Sequence, residues 1–184
     1  HHTTLIHTSR EVEEHRRVAE ITKEILTQMK IRSFTNETCD KLISYIQEYN
    51  LSDLEVESFV DYVEQIRQNR RDYLLLLGEI KVIEVNSRTR ENDEDSERNL
   101  RYEFERTSCL AIGGTRLSRG LTLEGLTTSL FVRTSQVPRY DTMMQMSRWC
   151  GYRQSSNQES YADLVKITTT EEIAGNLRDI AIAE

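Results

Sequence analysis

The 184-residue chain sets 24 Lys and Arg against 31 Asp and Glu, for a net charge of −7 with 37% hydrophobic and 7% aromatic residues. Abundant charge and a single Pro fit a helix-rich soluble domain better than an all-β one, and this length buries one good core with room for a small helical annex. The acidic balance excludes indiscriminate coating of nucleic acid, and no apolar run outlasts Leu74–Leu77, so neither a membrane span nor a signal peptide is expected.

His1 and His2 read as the remnant of an expression tag and are set aside, leaving one domain over 3–184. Thr4-Leu5-Ile6 opens a buried strand whose polar end presents His7, Thr8, Ser9 and Arg10. His7 stands either as a satisfied histidine at the edge of the core or as a contact group. Ser9 is a plausible N-cap for the next helix, with Glu11 and Glu13 in an acidic first turn and Val12, Val18, Ile21, Ile25, Leu26 and Met29 near helical spacing. Residues 36–77 read as two or three amphipathic helices with acidic outer faces, a helical insertion. Ile80–Asn86 is the next strand, and 88–98 an acidic connector. Ser108–Ile112 and Leu126–Val132 follow as strands, then a helix from Asp141 to Cys150, a strand over Tyr161–Ile167 and a last helix opened by Thr169 or Thr170. Strands alternating with helices predict a three-layer α/β domain with a mostly parallel sheet, whose carboxyl ends are where ligands collect.

The three cysteines, Cys39, Cys109 and Cys150, show no CxxC and no His at ligand spacing. No metal site or disulfide framework is expected, and a reducing cytoplasm is the simplest setting. The stretch with the most chemistry is 113–153. It holds five of the seven glycines, the only Pro, the only Trp and six Arg against two acids, a local +4 in a chain whose remainder carries −11. Arginine-only, glycine-rich and locally basic, it is where phosphates would be bound.

LIHTSR (5–10), VIEVNSR (82–88), IGGTRLSRGLTLEGLTTSLFVR (112–133), YDTMMQMSRWCGYR (140–153) and YADLVKI (161–167) together resemble the C-terminal RecA-like lobe of superfamily-two helicases. More narrowly they resemble the Z-one domain, a family found in bacterial endonucleases beside a helicase ATPase domain. The resemblance implies a P-loop NTPase-type lobe of a nucleic-acid-dependent ATPase or translocase from a restriction- or defence-type endonuclease. It also implies a location for each motif. Thr8, Ser9 and Arg10 would lie in the fourth motif, touching the DNA backbone. Gly113, Gly114, Thr115, Ser118, Arg119 and Gly120 would form the fifth, whose glycines let backbone N–H groups approach a phosphate or ribose. Gln145, Arg148 and Arg153 would form the sixth, with Arg153 as arginine finger and Arg148 as its companion. A permanently charged, fork-shaped guanidinium suits phosphate oxygens, and such a finger is worth about 10³–10⁵ in rate.

This chain departs from the helicase pattern where Gly114-Thr115 replaces the usual Thr-Asp and where Met144 stands at the usual Gln position. It contains no GxxxxGK[ST], so ATP and Mg²⁺ are expected only at an interface with an N-terminal RecA-like lobe, and the chain alone is expected to be inactive. The implied partners are DNA, that lobe and a nuclease region of the parent protein, with no membrane. Two readings stand beside this one. The chain could be a non-catalytic binding module with a helicase-like lobe, or itself a nuclease through Asp72, Glu79 and Lys81, an acid followed by ExK.

Overall fold

The structure is a computed structural model that describes residues 2–9, 11–32, 35–49, 51–85, 108–114, 125–132 and 165–183. The acidic connector, the helix expected from Asp141 and most of the 113–153 stretch lie outside the described residues. Two compact units emerge, one formed by residues 1–20 with 81–184 and the other by 21–80.

The first unit is a five-stranded sheet: β1 (His2–His7), β2 (Ile80–Val85), β3 (Ser108–Gly113), β4 (Leu126–Phe131) and β5 (Lys166–Thr169), in spatial order β2-β3-β1-β4-β5. Pairings β1–β3, β1–β4 and β4–β5 are all parallel, as the alternation of strands and helices predicts. β1 is therefore the central strand, with partners on both sides, and its burial shows why. Thr3, Leu5 and His7 are all fully buried, while Thr4 and Ile6 are only half-buried. In register with them come Cys109 and Ala111 of β3 and Leu126, Ser129 and Phe131 of β4. Leu5, Ile83, Val85, Cys109, Ala111 and Leu126 form one apolar cluster. Each Leu, Ile or Val among them contributes about 1.5–3 kcal/mol by leaving water.

β1 takes in His2, whose Nδ1 lies 2.8 Å from Thr127 Oγ1. Ahead of β4 the chain turns at Gly125, where φ is 74°, a left-handed conformation that glycine adopts without strain. The Gly125 carbonyl accepts the Thr3 N–H at 2.7 Å, and the register between β1 and β4 shifts at Thr3/Thr4. That irregularity lets neighbours Leu126 and Thr127 both be buried. β5 lies at a sheet edge, with Lys166–Thr169 its described span; residues 161–164 of the expected strand lie outside the described residues. Ile167, Thr168 and Thr169 are β-branched, and the strand is exposed or half-buried throughout, as an edge strand permits. The closing helix, α5 (Glu171–Ala183), follows Thr170, whose hydroxyl accepts the Ile173 N–H at 3.3 Å.

Between β1 and β2 run α1 (Val12–Ile31), α2 (Asn36–Ile46), α3 (Asp53–Gln68) and α4 (Arg70–Gly78). The boundary between the two compact units falls inside α1, so the helical unit extends over 21–80 rather than 36–77 alone. Within it Ile66, Tyr73 and Leu77 form a buried cluster with Leu26, Met29 and Ile80 packed against them, and Cys39 and Val63 are buried as well. Strong local signals set its helix ends. Ser52 and Glu55 form a reciprocal capping box, and Thr35 Oγ1 accepts the Thr38 N–H. Among the described residues, no helix is long and apolar enough to cross a membrane.

Candidate functional site

Parallel strands leave their carboxyl ends on one edge, and here the central three deliver Thr8 and Ser9 from β1, Gly113 and Gly114 from β3 and Val132 from β4. Such an edge is where an open α/β sheet binds ligands. Two buried histidines hold two of these exits together.

His7 closes β1 on the fully buried register. Its Nδ1 lies 2.8 Å from the Gly113 carbonyl. A carbonyl oxygen only accepts, so Nδ1 carries the proton and donates. The ring stacks on Phe131, its register partner in β4, with centroids 5.1 Å apart and planes within 6°. Burial lowers the His7 pKa to about 4; the Gly113 hydrogen bond pulls the other way and the nearby His15 adds to the lowering. His7 is therefore a neutral histidine of the core edge, the first of its two readings.

His15, in the first turns of α1, is 2% exposed. Its Nε2 donates to the Ser9 carbonyl at 3.0 Å, while Nδ1 is buried with no hydrogen-bond partner among the described residues. The same ring lies against Gly114. A methyl group added at Gly114 would sit 2.7 Å from His15 Cε1, 2.9 Å from its Nε2 and 3.0 Å from the Ser9 oxygen. Only glycine lets the β3 exit approach the β1 exit this closely.

The helix start differs from expectation. α1 begins at Val12, so Ser9 stands outside it, and the Ser9 hydroxyl accepts the Glu11 N–H at 3.1 Å instead of capping the helix. Thr8 follows β1 directly, and its hydroxyl is buried without a hydrogen-bond partner among the described residues.

Four of the expected site residues thus come together: Thr8, Ser9, Gly113 and Gly114. Arg10, Thr115, Ser118, Arg119, Gly120, Gln145, Arg148 and Arg153 lie outside the described residues. Sequence reasoning missed His15. The signal was the spacing Val12, His15, Ala19, Thr22, Leu26, Met29, a three-four stripe in which His15 and Ala19 are the buried members. The acid-and-ExK arrangement does not assemble. Asp72 and Glu79 stand near opposite ends of α4, roughly 10 Å apart along the axis. Asp72 is an exposed carboxylate accepting from Asn69 Nδ2 at 2.7 Å. Among the described residues, no group of three or more His, Cys, Asp or Glu could hold a metal ion.

No curated protein and no solved structure matches the chain. A family model described as the Z1 domain does, over residues 1–184. With a parallel α/β sheet beneath it and the match running its whole length, the chain belongs to the Z1 domain family.

Proposed function

We propose that the chain is the C-terminal, RecA-like lobe of a nucleic-acid-dependent ATPase or translocase within a restriction- or defence-type endonuclease. The observation that carries this reading is the meeting of the two stretches that resemble helicase backbone-contact motifs. His7 and Gly113 are 106 residues apart and hydrogen-bonded, and Ser9 and Gly114 pack beside them at the carboxyl edge of a parallel sheet. Thr8, Ser9 and Arg10 with Gly113 to Gly120 would follow the DNA backbone. Arg153, assisted by Arg148 and Gln145, would reach the γ-phosphate of ATP held with Mg²⁺ by a P-loop lobe. Membership of the Z1 family and the local charge of +4 over 113–153 support the same reading.

ATP hydrolysis and DNA binding test it. The chain alone should hydrolyse no ATP and bind DNA weakly, with affinity falling steeply as salt rises. Joined to a lobe that carries a P-loop, it should support DNA-stimulated hydrolysis that drops about 10³-fold or more in Arg153→Ala. Saturable, Arg153-dependent turnover by the chain alone would overturn the two-lobe mechanism. An unchanged rate in the mutant would remove the finger, and no hydrolysis in either would leave a binding module.

A further inference from the structure

We propose that His15 is a positioning residue that clasps the chain leaving β1 to the chain leaving β3, and so sets the spacing of Thr8 and Ser9 relative to Gly113 and Gly114. The inference deepens the proposed function and, as far as it concerns DNA, rests on it.

Three contacts meet in one place. The His15 Nε2–H holds the Ser9 carbonyl at 3.0 Å. The ring edge occupies the space that a side chain at position 114 would need, and the Ser9 oxygen borders that same space. Ser9 and Gly114 are thus each fixed against the same imidazole. Beside them, His7 braces the preceding residue pair by donating to the Gly113 carbonyl. Past the described β1–β3 register, which ends at Ile6 and Ile112, the His7 bond ties the exits one residue further, and His15 carries the tie on to Ser9 and Gly114.

Core filling does not account for a histidine here. His15 is buried on the inner stripe of α1, and its Nδ1 has no hydrogen-bond partner among the described residues. An unmatched buried polar atom destabilises, and a leucine of similar bulk carries none of its own. What leucine cannot do is donate to Ser9. A glutamine can, because its terminal amide reaches about as far from the backbone as the Nε2 of histidine.

The test uses this chain as wild type, His15→Leu and His15→Gln. It reads thermal melting, hydrogen exchange at residues 8–11 and 113–114, and anisotropy of a short fluorescein-labelled DNA. His15→Leu should melt near the wild-type temperature, because losing the unmatched Nδ1 offsets losing the bond to Ser9. Its exchange at both exits should be faster and its DNA affinity lower, each by about tenfold, as losing one net hydrogen bond allows. His15→Gln should stay within about twofold of wild type on both readouts, a rescue that simple packing would not produce.

Unchanged exchange and affinity in His15→Leu would overturn the clasp, as would a Gln variant that fails as badly as Leu. Wild-type chain that binds no DNA would instead overturn the nucleic-acid reading, and the exchange data would still decide whether the clasp exists.

Discussion

The side chain with the clearest electrostatic consequence is His7. Fully buried, stacked on Phe131 and donating through Nδ1 to Gly113, it has its pKa lowered from 6.5 to about 4. Below about pH 6.5 the unfolded chain takes up a proton at this position while the folded chain does not until about pH 4, so stability falls as pH falls through that window. Between about pH 7 and pH 5 the loss from this one group is about 2 kcal/mol. Urea unfolding across that range, for wild type and His7→Asn, isolates it from the carboxylates that titrate nearby. The variant should be less stable at neutral pH, and its deficit should shrink by about that amount at the acidic end. A constant difference would mean that His7 takes up its proton at the same pH in the folded and unfolded chains, against the lowered pKa. His7 was half legible in the sequence: the alternation through Leu5 puts it on the inner face, but its stacking partner, Phe131, is a tertiary neighbour that no local pattern names.

Elements were legible where one period dominates. β2, β3 and β4 fall within about a residue of the apolar or β-branched runs that predict them, whereas β1 opens two residues before Thr4 and takes in His2, which reads in the sequence as a tag remnant. α1 was legible in existence but not in facing. Hydrophobicity selects Ile21 and Ile25, yet these are 50% and 54% exposed, whereas His15 and Ala19 are buried. Side-chain polarity hides a stripe that spacing reveals. Helix starts were read with mixed success for the same reason, since several hydroxyls compete for one end. In α3 the competition is settled: Ser52 Oγ accepts the Glu55 N–H, and Glu55 Oε2 accepts the Ser52 N–H at 2.8 Å. The Ser52 hydroxyl, which donates to Glu55 Oε2 at 2.7 Å, and then the Ser52 N–H hold the Glu55 carboxyl below its ordinary range. Ser52→Ala should therefore cost the helical unit about 1 kcal/mol, read from the urea midpoint. Glu55→Gln, which still accepts, should cost less. Equal losses would assign the effect to charge at the helix start rather than to the box.

At the scale of the whole molecule, the two compact units differ in how much they bury, and each carries a natural reporter. Cys109 sits in β3 within the sheet unit, buried, its thiol donating to Thr3 Oγ1 at 3.5 Å. Cys39 sits in α2 of the helical unit, also buried, and burial pushes its thiol pKa up. Neither sulfur is exposed in the folded chain, so alkylation must wait for opening of the surrounding structure. The central strand of the sheet unit has a partner strand on each side, while the helical unit leaves Leu54, Leu75 and Tyr62 at 77%, 55% and 48% exposure. Fewer buried apolar contacts mean a lower free energy of local opening. Iodoacetamide labelling across a urea series, with sites assigned by peptide mass spectrometry, should therefore modify Cys39 at lower urea than Cys109. Adding DNA should protect Cys109, whose strand leads into Gly113 and Gly114, more than Cys39, because a ligand raises the opening energy of the unit it binds. Parallel labelling of both thiols at every urea concentration would mean that the units unfold as one. Protection of Cys39 alone would move the nucleic-acid contact off the sheet edge and onto the helices.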